Sequence, residues 1–138
     1  RIAKGSEGKL FVAGIEPMHG TELTYYSPSA NQLVQQSSQT RIVLTAALNQ
    51  GHAVAVSDLL GFGNNQVVVG WREPNTEKKV GVKIFVDKDG SWNDFWIDEN
   101  DMACEDLQLA DLDGDGKKDI IASGRSTHNL KIYWNKSK

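Results

Sequence analysis

Asp111-Leu112-Asp113-Gly114-Asp115-Gly116-Lys117-Lys118-Asp119 leads directly into the apolar run Ile120-Ile121-Ala122, and the same design occurs 53 residues earlier. There Asp58-Leu59-Leu60-Gly61-Phe62-Gly63 leads into Val67-Val68-Val69. Before each loop stands a short strand-like run, Ala55-Val56-Ser57 in one copy and Gln108-Leu109-Ala110 in the other. After each comes another, Val82-Lys83-Ile84-Phe85-Val86 and Leu130-Lys131-Ile132-Tyr133-Trp134. Runs this short, rich in β-branched residues and bounded by Gly, Asn and Asp, read as strands joined by turns. A period of about 50 residues with four strands per period is the size of one propeller blade.

Working outward, a third, partial copy lies at the start. Leu10-Phe11-Val12-Ala13-Gly14 resembles Val67-Val68-Val69-Gly70, and Glu16-Pro17 mirrors Glu73-Pro74. With the strands of a blade lettered A to D from the channel outward, the first copy supplies B (10–15), C (22–27) and D (41–48). The second supplies A (53–58), B (66–71), C (81–87) and D (92–98), and the third A (106–111), B (119–123) and C (129–134). In the stretch from Thr40 to Leu48, Ala46, Ala47 and Leu48 favour helix, but the β-branched Ile42, Val43 and Thr45 favour strand, which is the reading adopted. The expected fold is all-β: a fragment of a β-propeller, about two and a half blades of four-stranded antiparallel sheet. Residues 1–50 form an incomplete blade, 51–103 a complete one, and 104–138 an incomplete one with the acidic loop. Ten such strands do not close a ring, so the fragment is expected to join the rest of a larger propeller or to self-associate through open sheet edges. Solenoids and sandwiches are the alternatives.

Composition agrees with a folded domain. Of the 138 residues 39% are hydrophobic and 24% charged, and 15 Lys and Arg against 18 Asp and Glu leave a net charge of −3. The acids gather near residues 94–119, which argues against nucleic acid as a partner. No apolar run approaches the roughly 20 residues of a membrane span. The single Cys104 excludes an internal disulfide and a thiolate zinc cluster.

The loop itself carries chemistry. Asp111, Asp113, Asp115 and Asp119 occupy its positions 1, 3, 5 and 9. Carboxylates so close repel one another unless a cation neutralises them. An all-oxygen set suits a hard ion, and calcium, which accepts six to eight oxygens in loose geometry, fits best, with the carbonyl of Lys117 as a further donor. An EF-hand is a poor match because its twelfth position requires Glu and here holds Ala122. This loop between two strands is similar to the calcium loop of the FG-GAP or VCBS-type propeller repeat, and the resemblance implies Asp111, Asp113, Asp115 and Asp119 as side-chain ligands. In the second copy Asp58 matches Asp111, but Leu60, Phe62 and Gln66 stand where Asp113, Asp115 and Asp119 do. That copy is expected to bind no calcium and to fill the gap with Leu60 and Phe62.

In a four-stranded meander the A–B loops lie on one face, while the B–C loops and the starts of strand A lie on the other. This places Glu16, His19, His52, Trp71, Arg72, Glu73, Arg125 and His128 together, opposite the acidic loop. Imidazoles beside carboxylates can move protons or bind metal, Arg72 and Arg125 can hold oxyanions, and Trp71 can stack on a sugar. The stretches Ile15-Glu16-Pro17-Met18-His19-Gly20, Gly51-His52-Ala53 and Val69-Gly70-Trp71-Arg72 are similar to the propeller part of aldos-2-ulose dehydratase-like proteins. That resemblance implies a sugar lyase eliminating water from a keto-sugar, with His52 as base, His19 and Glu16 as metal or acid partners, and Trp71, Arg72 and His128 positioning the sugar. The other reading is a calcium-stabilised domain that binds carbohydrate or a protein partner through this face without chemistry. Localisation is expected to be secreted or periplasmic, where millimolar calcium fills such a loop.

Overall fold

A computed structural model describes residues 1–4, 10–27 and 40–137. Among them are eleven strands and no helix: β1 (Ile2–Lys4), β2 (Leu10–Glu16), β3 (Glu22–Ser27), β4 (Thr40–Thr45), β5 (Gly51–Ser57), β6 (Gln66–Trp71), β7 (Gly81–Lys88), β8 (Ser91–Glu99), β9 (Cys104–Ala110), β10 (Asp119–Gly124) and β11 (Asn129–Tyr133). They form three antiparallel meanders, β1-β2-β3-β4, β5-β6-β7-β8 and β9-β10-β11, which do not close into a barrel. The architecture is that of successive blades.

The first sheet has a strand more than the repeat pattern showed. Ile2, Ala3 and Lys4 pair with Val12, Phe11 and Leu10, which gives this sheet its own innermost strand. The match between the first and second copies also shifts. Aligning Gly14 with Gly70 and aligning Glu16-Pro17 with Glu73-Pro74 differ by one residue, and a one-residue slip sends every side chain to the opposite face. The structure takes the second alignment: Phe11 and Ala13 face the second sheet, as Val68 faces the third.

Two apolar seams hold the sheets face to face. In the first, Phe11, Ala13 and Leu23 meet Val67, Val69, Trp71 and Phe85. In the second, Ala53, Ala55, Val68, Val82, Ile84 and Val86 meet Leu107, Ile120 and Ala122. Successive side chains of a strand point to opposite faces, so β6 must be apolar on both sides, and all six of its residues are buried. Each fully buried Val or Leu contributes about 1.5–3 kcal/mol. Gly70 allows the second seam to close, because a Cβ there would meet the sulfur of Cys104 at 2.3 Å. Burial, with Asp106 and Glu105 nearby, pushes the Cys104 thiol up to about 12.

A polar clasp crosses the outer part of the second seam. Lys131 and Tyr133 of β11 donate to Asp98 of β8, each at 2.8 Å. Burial alone would raise the Asp98 carboxyl, but these donors outweigh it and hold it below its usual range. A carboxyl depressed in the fold contributes stability that is present above its unfolded value, about 3.9, and lost as pH falls through the lower folded value. Acid titration followed by circular dichroism should therefore show a melting temperature that drops below about pH 4 in the native chain and drops less in Asp98→Asn. Equal acid sensitivity of the two would refute this role.

Candidate metal loop and the opposite polar cluster

The acidic loop joins β9 to β10. Asp111, Asp113 and Asp115 are exposed, and each offers a carboxylate oxygen within 4.8 Å of those of the other two, a spacing able to hold a metal ion. Gly114 and Gly116 take positive φ of 78° and 85°, the left-handed backbone the tight turn requires. The carboxylates also organise the loop. Asp111 accepts from the amides of Gly114 (2.7 Å) and Gly116 (2.9 Å), Asp113 from that of Asp115 (3.3 Å), and Asp115 from that of Lys117 (2.9 Å). Lys136 pairs with Asp113 at 2.8 Å and, with the amide of Asp115, holds its carboxyl below the usual range.

Asp119 stands outside that trio. It is 1% exposed, and its oxygens accept from the amides of Leu112 (3.0 Å) and Asn135 (2.9 Å). The expected set of four carboxylates is thus three that converge and one buried brace. The ammonium of Lys117 is turned to the carbonyl of Ser137.

The second copy explains the brace. Between β5 and β6, Asp58 accepts from the amides of Phe62 (3.0 Å) and Gly63 (2.8 Å), the second of these matching the bond of Asp111 with Gly116. Gln66, the counterpart of Asp119, accepts from the amide of Leu59 at 2.6 Å, as Asp119 does from Leu112. Gly61 and Gly63 again have positive φ. The two loops share one hydrogen-bonded frame, but only the later one carries converging acids. Phe62 does not fill the gap, since it is 66% exposed. Leu60 does pack against the second seam, beside the buried Leu59.

On the opposite side, residues of all three sheets meet. His19, in the β2–β3 turn, stacks on His52 of β5 with ring centroids 4.6 Å apart and planes 14° from parallel. His52 Nδ1 lies 2.5 Å from the carbonyl oxygen of Glu105 in β9, and its Nε2 lies 3.7 Å from the Glu105 carboxylate. Arg72, just past β6, donates to both oxygens of that carboxylate at 3.2 and 3.4 Å and to the side-chain oxygen of Gln50 at 2.9 Å. The side chains of His52, Arg72 and Glu105 are about a quarter exposed, withdrawn from solvent yet reachable.

The local cause is a repeated irregularity. Gly51 pairs with Trp71 and Ala53 with Gly70, leaving His52 as an extra residue. Cys104 pairs with Gly124 and Asp106 with Ser123, leaving Glu105 as an extra residue. Each is a β-bulge, which re-aims the inserted side chain. His52 and Glu105 are 53 residues apart, the period itself. Gln50 was not expected here; Glu105, at the entry to strand A one period after His52, belongs to the expected face but has no assigned role there, and its offset from His52 was the signal for one.

Other expected members of this face are placed differently. Trp71 is 1% exposed, donates its indole N–H to the carbonyl of Lys79 at 2.9 Å and packs on Trp96. It is a core residue and offers no stacking surface, because its position continues the inward parity of Val67 and Val69. The carboxylate of Glu16 is engaged by the Tyr26 hydroxyl and by Arg41, and Tyr26 foremost holds it below its usual range. It is therefore committed away from the histidines. Glu73, Arg125 and His128 are exposed in turns, and Arg125 is the counterpart of Arg72 one period on. Comparison with protein-family models, curated proteins and solved structures gives no match to this chain.

Proposed function

We propose that this chain is a propeller-type repeat domain that holds calcium in its Asp111–Asp119 loop and binds a polyhydroxylated, carbohydrate ligand at the cluster of His19, His52, Arg72 and Glu105. The observation that carries the ligand reading is the meeting of polar side chains from three successive sheets at one partly shielded place. Such a cluster offers donors from Arg72 and both donor and acceptor atoms from His52 and Glu105, which suits hydroxyl groups that need both. With Trp71 buried, recognition rests on hydrogen bonds without aromatic stacking. The calcium reading rests on an all-oxygen donor set in an open loop with room for water ligands. Support for the repeat family comes from the loop spacing and its shared frame.

One experiment separates the two parts. Titration calorimetry with calcium chloride should give one site in the native chain and none in Asp113→Ala/Asp115→Ala. Nuclear magnetic resonance titration with a panel of oligosaccharides should shift the backbone amide signals of Gln50 and Glu105, which contact Arg72 and His52, and His52→Ala/Arg72→Ala should abolish those shifts while calcium binding persists. Sugar binding undisturbed by that double change would overturn the ligand reading, and absent heat with calcium would overturn the metal reading.

A second reading, a sugar lyase, is favoured by one detail. With its Nδ1 hydrogen held by the Glu105 carbonyl, His52 leaves Nε2 as the basic atom. Nε2 would take the proton next to a keto-sugar carbonyl, Arg72 would stabilise the enolate oxygen, and the imidazolium so formed would return that proton to the neighbouring hydroxyl, whose C–O bond breaks as the enolate collapses, so that it leaves as water. Dehydrated product from a keto-sugar, lost in His52→Ala, is the result this reading requires.

A further inference from the structure

Gln50 carries an unusual backbone. It stands immediately before β5 with a φ of 54°, in the left-handed region that glycine adopts freely and other residues rarely. The bonds around it hold it there. On one side the amides of Leu48 and Gly51 donate to the carbonyls of Thr21 and Gly20 in the β2–β3 turn, each at 3.0 Å. On the other the amides of Arg72 and Glu73 donate to the carbonyls of Gln50 (3.1 Å) and Asn49 (3.3 Å), and the Asn49 side chain donates to the carbonyl of Pro74 at 2.8 Å. A strained residue persists where its surroundings fix it in this way, and such residues gather at functional sites.

The repeat does not demand this backbone. One period later Ala103 takes the corresponding place before β9, and it is not among the residues of positive φ. Glycine would keep the main-chain bonds around position 50 without strain, since none of them uses the Gln50 side chain. What glycine could not supply is the side-chain oxygen, which accepts from Arg72 Nη2 at 2.9 Å. Glu105 takes Nη1 of the same guanidinium with both carboxylate oxygens, at 3.2 and 3.4 Å. Gripped at both nitrogens, by the loop before β5 and by β9, the guanidinium cannot turn freely on its long stem. Arginine has five N–H donors, and these bonds use at most three of them. Donors therefore remain for a ligand on a side chain that is 22% exposed. A long side chain loses rotamer freedom on binding, and holding it in place beforehand removes that loss.

We propose that Gln50 positions Arg72 for the ligand, and that a residue other than glycine occupies this left-handed place for the sake of its side-chain oxygen. This role rests on the ligand reading of the cluster, and Gln50 fills it through Arg72 without touching the ligand.

The test compares Gln50→Gly and Gln50→Ala in the whole chain. Both remove the oxygen, and only glycine relaxes the backbone. In the native chain the Nη hydrogens of Arg72, assigned by their loss in Arg72→Lys, should give separate nuclear magnetic resonance signals, because the guanidinium is held. In both variants they should interchange at least about tenfold faster, whereas Gln50→Glu, which keeps an oxygen at the same reach, should leave them separate. Oligosaccharide titration followed at the backbone amide of Glu105 should give binding about tenfold weaker in both variants than in the native chain. Gln50→Gly should melt at least about 3 °C above Gln50→Ala. Equal melting of the two would show that the backbone is not strained, and native binding or native Arg72 signals in Gln50→Gly would show that Arg72 is held without Gln50. Either result overturns the proposal while the ligand reading stands. No oligosaccharide shift in the native chain would overturn the ligand reading, and this role with it.

Discussion

Replacing Trp71 with Ala should lower the unfolding free energy by about 3–5 kcal/mol, the loss expected when the largest aromatic side chain leaves a packed core. Trp71 is 1% exposed, packs on Trp96 within the seam between the first and second sheets, and satisfies its indole N–H on the carbonyl of Lys79. Truncation would remove the apolar contact, leave a cavity and take one of two donors from that carbonyl, which keeps the amide of Asn75 at 2.9 Å. Urea unfolding followed by tryptophan-independent far-ultraviolet dichroism measures the change. A loss within about 0.5 kcal/mol, typical of a surface position, would show that the side chain is not part of the core.

The second large effect concerns Asp119. Asp119→Ala, measured in excess chelator, should cost about 2–4 kcal/mol, because two main-chain amides lose a charged acceptor in a buried place. Asp113→Ala under the same conditions should change stability by no more than about 0.5 kcal/mol, since that carboxylate is on the surface and its pair with Lys136 is exposed. With calcium present Asp113→Ala should cost more than it does in chelator, because it then forfeits the stabilisation that bound cation supplies. If Asp119→Ala proved neutral in chelator, the bracing role drawn from its bonds to Leu112 and Asn135 would fail.

Much of the architecture was legible because the 53-residue period brings two copies of the same loop and strands into alignment. β1 was not, since Ile2-Ala3-Lys4 is too short to show alternation. The polar cluster was half legible. Turn position placed His19, His52 and Arg72 together, and the structure joins them through stacking and the Glu105 bridge. Turn position says nothing about which way a side chain at a strand end faces, which is why Trp71 looked available. Its parity with Val67 and Val69 carried the answer. Phe62 failed for the opposite reason: a turn held by Asp58 and Gln66 needs no apolar filling, so an aromatic at its tip stays in solvent.

The shared frame of the two loops bears on speed. One copy holds the turn with Asp58 and Gln66 and no converging acids, and the other holds it with Asp111 and Asp119. A cation arriving at Asp111, Asp113 and Asp115 therefore meets a cradle that is already built, and its affinity is not reduced by the population of some rarer competent form. Its departure needs no strand to part, only the return of water to three surface carboxylates. Exchange should accordingly run far faster than the unfolding of the chain, and occupancy should follow the surrounding ion concentration without hysteresis. A bound cation would change the electric field at that end of the molecule, screening three carboxylates of which Lys136 already pairs with one, and would leave the outline of the sheets as it was.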